Sequence, residues 1–329
     1  MKKWIIILAF CIFTLEIQSL QVLHNQNNIQ DTKTFIWTQE SVEKFDELIV
    51  SWNATRPSEG YYLLHLSVLV DGLWSPWLKY AQWGNCYQRT FSSEEENSFA
   101  KTFQDTLDVL EGQKASGFRV HIEACDGADL NQWKTTHACI SCREDRIKDV
   151  MLYEEKCVNL AVSHLSQMSI EHPRNDHLCS VAATTAVLRF LKGNREIDPV
   201  KLAEKVFDSN FDIYGNWIFC TAQAGEELGD KWFSWVGRIA NFDEILKQLQ
   251  KGIPVVMSLR GPLKGAHLPY KNGHLVAVVG YDPLSQKVLC MDPAFPEGID
   301  KPVSYALNDF LQAAKRRGYM TYFFDKSFD

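Results

Sequence analysis

Three residues of the chain are of the types that combine in nucleophilic catalysis: Cys179, His274 and Asp292, in that order. A cysteine thiolate attacks carbonyl carbons, a histidine takes and returns the proton, and a carboxylate orients the histidine. Each residue alone has an ordinary structural explanation, such as a small buried thiol or a turn aspartate. Their occurrence together predicts catalysis by an activated thiol.

Cys179 stands where a helix is predicted to begin. Gly193 is a plausible end for that helix. At a helix N-terminus, free N–H groups and the macrodipole lower the pKa of a thiol, which makes the reactive thiolate more available. The apolar residues that recur at helical spacing are Val181, Ala182, Ala183, Ala186, Val187, Phe190 and Leu191.

His274 opens an apolar run, residues 275–281, that reads as a buried strand and is followed by a turn and a second strand. If Tyr281 pairs with Ser285 across that turn, His274 stands opposite Asp292, with Cβ atoms about 4.5–5.5 Å apart. A carboxylate beside the imidazole fixes its tautomer and supports its cationic form. The hairpin therefore predicts a histidine–aspartate pair.

His267 is an alternative base. It lies in a loop rich in glycine and proline, residues 261–269, which is expected to flank the cleft. No carboxylate is fixed opposite it by a strand register, so His274 is the preferred candidate.

Residues from about 160 to 325 resemble the C39-like peptidases, which are secreted relatives of the bacteriocin-leader-processing cysteine peptidases and have a papain-like fold. That resemblance implies that Cys179 is the nucleophile, His274 the base, Asp292 the orienting acid and Gln167 the oxyanion-hole donor. The motifs that carry it, in chain order, are Ser166-Gln167-Met168, Leu178-Cys179-Ser180, Gly215-Asn216-Trp217, Gly252-Ile253-Pro254-Val255-Val256, Gly273-His274-Leu275, Gly280-Tyr281 and Asp292-Pro293-Ala294.

A chain of 329 residues is longer than one core usually fills, so two domains are expected. We predict a signal peptide at residues 1–20, an antiparallel β-sandwich at 33–150, and an α+β papain-like domain at 160–329. Residues 143–165 are the predicted connection. The net charge of −7 argues against nucleic acid or an anionic membrane as a partner.

The N-terminus has the short basic and apolar regions of a secretory signal, too short to span a membrane comfortably. Export to the medium, the periplasm or the cell envelope is therefore expected. No later segment is long and apolar enough to cross a bilayer.

The sandwich is predicted from residues that alternate along two segments. Glu47–Ala54 and Asp71–Trp77 also resemble the accessory domain that often precedes the peptidase domain in this family. Trp74, Trp77 and Trp83 could form a sugar-binding platform, but core packing is the preferred interpretation. The alternating apolar positions are Tyr62, Leu64, Leu66, Val68 and Val70 in one segment, and Phe118, Val120 and Ile122 in the other.

Helices are expected to precede strands in the second domain, which is an α+β order. Asp198 should cap a helix that starts at Pro199. Later elements are predicted at Thr221–Leu228, Asn241–Gln250 and, as the first strand of the sheet, Pro254–Leu259.

Seven cysteines are left when Cys11 and Cys179 are set aside, an odd number. The Cys139-Ile140-Ser141-Cys142 segment resembles half a zinc site, but no second close pair completes it, so disulfides or buried thiols are favoured. The mechanism needs no metal or organic cofactor.

The sequence thus predicts an exported cysteine hydrolase, most simply a peptidase acting on peptides or proteins, including cell-envelope peptides. Two alternatives stay open. One is an amidase or acyltransferase that uses the same thiol on cell-wall peptides. The other is a catalytically silent module that binds a glycan or a protein.

Overall fold

The structure, a computed structural model, describes residues 20–26, 31–85, 88–93, 99–145 and 157–326. The predicted signal peptide, except its last position, and Cys86 lie outside these ranges. Among the described residues, none of the helices has the length and apolar character needed to cross a membrane.

The N-terminal half consists of two sheets whose strand pairs are all antiparallel. In spatial order, the first sheet contains β1 (Leu20–Gln26), β11 (Trp133–Ser141), β3 (Glu47–Ala54), β9 (Thr106–Val109) and β8 (Ala100–Phe103). The second contains β2 (Thr34–Gln39), β10 (Ala115–Cys125), β4 (Tyr61–Val70), β6 (Leu78–Gly84) and β7 (Gln88–Thr90), and β5 (Leu73–Trp74) pairs with β4.

The predicted alternation is confirmed in β4 and β10, whose apolar faces are buried in the core. The prediction of core packing is confirmed for Trp83, which is fully buried, but is wrong for Trp77, which is 37% exposed. The guanidinium of Arg119 lies over the rings of Trp74 and Trp77, at 4.1 and 4.6 Å. These two indoles therefore hold a cation between them on the outer face of the sheet.

The C-terminal half is mixed. Its five described helices are α1 (Cys179–Lys192), α2 (Pro199–Val206), α3 (Trp217–Leu228), α4 (Asp243–Gln250) and α5 (Leu307–Lys315). Its antiparallel sheet has the order β13 (Trp232–Arg238), β18 (Met320–Lys326), β14 (Val255–Leu259), β15 (His274–Asp282), β16 (Lys287–Met291) and β17 (Val303–Ala306), with β12 (Val158–Asn159) beside β15.

Local signals set the helix ends. Asp198 caps α2 by accepting the Val200 N–H at 2.9 Å, and α1 ends at Gly193 in the left-handed conformation, as predicted. The third helix begins at Trp217, earlier than predicted, because Asn216 caps it by accepting the Phe219 N–H.

The hairpin register differs from the expected one, since Tyr281 pairs with Val288 and not with Ser285. The turn is longer because Asp282 holds it through the Leu284 N–H at 3.0 Å, and Gln286 adopts a positive φ of 50°. The prediction that the sheet starts near residue 254 is also wrong, since β12 and β13 precede it.

One hydrophobic core contains residues of both halves, and a second lies within the C-terminal half. Both α3 and β13 pack against β3 of the first sheet. Asn53 in β3 accepts the Ser234 N–H at 2.9 Å, and Glu47 forms a buried ion pair with Arg238 at 2.5 Å. These contacts fix the first sheet against the sheet that carries His274.

Candidate active site

Cys179 is the first residue of α1, which packs against β15. Its thiol lies beside the His274 side chain and near the backbone N–H groups of Leu275 and Ser180, all of which favour its ionised form. The residue is partly exposed. The thiol therefore has hydrogen-bond donors on the side that faces the protein, and its other side faces the cleft.

His274 is the first residue of β15 and is only 4% exposed. Its Nε2 donates to Asp292 Oδ1 at 2.8 Å, so Nδ1 is the ring nitrogen left for Cys179. The Tyr270 ring stacks on the imidazole, with centroids 4.0 Å apart and planes within 18°. These contacts hold the imidazole between the thiol and the carboxylate.

Asp292 directly follows β16 and is fully buried. Besides His274, its donors are the Tyr270 hydroxyl at 2.8 Å, the Tyr305 hydroxyl and the Ala294 N–H at 3.0 Å. Sequence reasoning missed both tyrosines. Tyr270 could have been noticed by its closeness to His274 along the chain, whereas Tyr305 depends on β17, which no pattern predicted.

The electrostatics of the three side chains favour an ion pair. Burial on its own would raise the pKa of Cys179, but the hydrogen bond and charge of His274 lower it below that of an ordinary thiol. Burial would likewise lower the pKa of His274, but its bonds to Asp292 and Cys179 raise it to about 9. Burial opposes the ionised form of Asp292 too, yet its pKa is lowered, chiefly by His274.

Other thiols have the opposite character. Burial raises the pKa of Cys220 to about 12, raises that of Cys290 far above its usual value, and also raises that of Cys125. Cys139 and Cys142, which resemble half a zinc site in the sequence, are both buried. Cys179 is therefore distinguished from these thiols by its environment.

A cavity of about 730 Å³ lies over Cys179 and His274. One wall comes from the N-terminal half, because the β8–β9 turn, residues 103–106, reaches the cleft. Asp105 in that turn accepts the Trp217 N–H at 2.8 Å, which ties the turn to the start of α3. Other residues that line the cavity include Gln167, Asp176, His177, Ile213, Tyr214, Gly215, Trp217, Leu268 and Arg317.

Gln167 borders the same cavity and is buried. Its Nε2 donates to the carbonyl oxygens of Asp176 and Asn175, at 2.8 and 3.2 Å, while its Oε1 is buried without a hydrogen-bond partner. The amide thus braces the loop that leads into Cys179. Its assignment as the oxyanion donor stays a prediction.

His267, the alternative base, is exposed, and its ring lies 5.2 Å from that of Phe295. It does not line the cavity over Cys179. The structure thus brings Cys179, His274 and Asp292 together and leaves His267 outside.

A thiol, an imidazole and a buried carboxylate in one hydrogen-bonded row form the arrangement used by thiol hydrolases. Residues 159–321 match the model of the Peptidase C39 like family, and residues 29–131 match that of the Peptidase C39 N-terminal domain. The chain therefore belongs to the C39-like peptidase family, and the resemblance inferred from its motifs is confirmed. No curated protein matches the chain.

Proposed function

We propose that the protein is a cysteine peptidase that cleaves amide bonds through a Cys179–His274–Asp292 triad. The observation that carries the proposal is the contact of His274 with both the thiol and the buried carboxylate. Membership of a peptidase family supports peptides or proteins as substrates. Cell-envelope peptides are one class to be tested.

In the proposed mechanism the Cys179 thiolate attacks the carbonyl carbon of the scissile amide, and the carbonyl π electrons move to its oxygen. The His274 imidazolium then protonates the leaving nitrogen as the C–N bond breaks, which leaves a thioester on Cys179. Neutral His274 next takes a proton from water, whose oxygen attacks the thioester. The tetrahedral intermediate then collapses with cleavage of the C–S bond. The acid product leaves, and the Cys179 thiolate is restored beside protonated His274.

The negative oxygen of the tetrahedral intermediates needs hydrogen-bond donors. The backbone N–H of Cys179 is one candidate, because the first N–H groups of a helix have no intrahelical acceptor. Gln167 is the second, since it borders the cavity beside the nucleophile. Asp292 acts through His274 as an orienting group and has no contact with substrate in this mechanism.

The proposal includes a papain-like fold for residues 160–329, a β-sandwich at 33–150, and export directed by residues 1–20. The papain-like fold is supported by a helix that begins at Cys179 and packs against the antiparallel sheet carrying His274. The β-sandwich is supported by the two antiparallel sheets of the N-terminal half. Export rests on the sequence of the first residues alone.

An amidase or acyltransferase would use the same thiol, so the identity of the product distinguishes these reactions. We expect the mature protein to release free carboxylate products from a mixed peptide library, as read by mass spectrometry. Cys179→Ala should abolish cleavage. Cys157→Ala, which removes an exposed thiol, should retain it.

Cleavage that persists in Cys179→Ala would refute the proposal. Transfer of the acyl group to an added amine in preference to water would favour the acyltransferase. Failure of Cys179 to react with any amide or ester would favour the alternative that the protein is a catalytically silent binding module.

A further inference from the structure

Three potential metal ligands meet on the outer face of the second N-terminal sheet, apart from the triad. His65 lies on β4, and His121 and Glu123 lie on β10. His65 and His121 are direct partners across the two strands, and Glu123 is two residues further on, so all three side chains share one face. They are half-buried, and their ligand atoms lie within 4.8 Å of one another.

The carboxylate lies close to both imidazoles, whose rings are stacked with centroids 5.9 Å apart. Glu123 Oε1 is 3.2 Å from His121 Nδ1 and 3.8 Å from His65 Nδ1. Tetrahedral zinc with bonds of about 2.0–2.2 Å would hold its ligand atoms about 3.3 Å apart. Side-chain adjustments on the order of 1 Å would therefore complete the geometry.

Two hydrogen-bonding features indicate that both Nδ1 atoms are available as ligands. The His65 Nδ1 is buried and has no hydrogen-bond partner. The His121 Nε2 lies 2.7 Å from the Thr34 hydroxyl, which can accept its proton and leave the lone pair on Nδ1. Metal-bound histidines commonly donate their other ring N–H to an oxygen in this way.

Two neighbouring side chains, those of Trp77 and Lys79, border the site. The Trp77 ring lies 5.4 Å from the His121 ring and covers one side. Lys79 is the partner of His65 in the next strand, and its ammonium lies over the Phe91 ring at 5.9 Å.

We propose that His65, His121 and Glu123 form a binding site for a zinc-like divalent ion, with a fourth position left for water or a ligand from a partner. Two imidazoles and one carboxylate suit zinc better than calcium or magnesium, which prefer oxygen ligands alone. The ion would join β4 to β10 and, through Thr34, to β2. The site is independent of the proposed peptidase activity.

Zinc binding is best measured by isothermal titration on untagged protein that carries Cys179→Ser and Cys157→Ser, so that the cleft and exposed thiols do not compete. We expect one Zn²⁺ per chain and a higher Tm in its presence. Thr34→Val, which keeps all three ligands, should weaken binding about 10-fold or more. His121→Asn and Glu123→Gln should weaken it further, with unchanged circular dichroism.

His267→Asn removes an exposed histidine outside the cluster and serves as the matched control. It should bind Zn²⁺ like the parent protein. Absence of binding at micromolar Zn²⁺, or equal affinity in the parent protein and both ligand variants, would overturn the proposal. A similar loss in His267→Asn would also overturn it, because binding would then be a general property of surface histidines.

Discussion

At the residue scale, Asp292 explains why a buried histidine can hold a proton. The carboxylate accepts hydrogen bonds from His274, Tyr270, Tyr305 and the Ala294 N–H. These donors stabilise its negative charge where water does not reach. The charge in turn keeps the pKa of His274 high, at about 9, and the imidazolium keeps that of Cys179 low.

Asp292→Asn should narrow the pH profile of kcat/KM from both sides. The acid limb reports deprotonation of Cys179, and the alkaline limb, near pH 9 in the parent protein, reports loss of the His274 proton. Without the carboxylate, the pKa of His274 falls, so the alkaline limb moves to lower pH. The thiol then loses part of its cationic partner, so the acid limb moves to higher pH.

The same substitution should lower the maximal rate about 10²-fold or more, as expected for impaired proton transfer. Asp282→Asn, on the same hairpin but partly exposed, is the control and should leave both limbs in place. An unchanged alkaline limb in Asp292→Asn would show that Asp292 does not set the histidine pKa.

Gln167→Ala tests the oxyanion assignment. If the amide donates to the oxyanion, kcat should fall about 10²–10³-fold with little change in KM, since the bond forms in the transition state. Steady-state kinetics and Tm should be measured together. A lower Tm and higher KM with kcat retained would instead assign Gln167 to bracing the loop through Asp176 and Asn175.

At the element scale, features specified by neighbouring residues were predictable and features specified by packing were not. The start of α1 at Cys179 and the Asp198 cap follow from local spacing and capping chemistry. The hairpin register is the exception among local features, because Asp282 and Gln286 form a longer turn than direct pairing of Tyr281 with Ser285 requires. His274 and Asp292 still meet, through side-chain reach rather than the expected direct pairing.

The site itself was predictable in its reactive groups, since a thiol, an imidazole and a carboxylate are recognised by residue type and order. The residues that hold these groups in place and line the cleft were not predictable. Tyr305 reaches Asp292 only because β17 pairs with β16, and the wall at residues 103–106 comes from a distant part of the chain. Such contacts depend on tertiary packing, which no local pattern encodes.

The β8–β9 turn gives a prediction about substrate binding. Phe103 lines the cavity, is 51% exposed, and has its ring 5.3 Å from that of Phe211. Phe103→Ala should raise KM for peptide substrates several-fold while kcat and Tm change little, because the side chain covers the cleft without filling a core. Steady-state kinetics on a cleaved peptide would measure this.

Leu284→Ala is the matched control, since that leucine is 96% exposed on a turn outside the cavity. It should leave KM unchanged. Equal kinetic constants for Phe103→Ala and the parent protein would show that the turn borders the cleft without contacting substrate.

At the scale of the whole molecule, buried polar contacts join the N-terminal sheets to the C-terminal half. Arg238 pairs with Glu47 across the junction and also donates to the carbonyl oxygens of Arg317 and Gly318. Arg317 lines the cleft. The junction therefore stabilises the cleft as well as the fold.

Arg238→Met should lower the free energy of unfolding by about 3–5 kcal/mol, because it leaves the Glu47 carboxylate buried without its cation. Denaturant unfolding would measure the loss. Adding Glu47→Gln should recover part of it, since the unpaired charge is then removed. A double variant less stable by the sum of both single losses would contradict a direct coupling.

The central claim is that Cys179 is an activated thiol because His274 contacts it. The most direct test is the alkylation rate of each cysteine by iodoacetamide at about pH 6, where an ordinary thiol is almost fully protonated. Cys157, an exposed thiol, serves as an internal reference. Peptide mapping should show Cys179 reacting faster than Cys157, and the advantage should disappear in His274→Ala. A Cys179 that reacts no faster than Cys157, or equally fast with and without His274, would contradict the account.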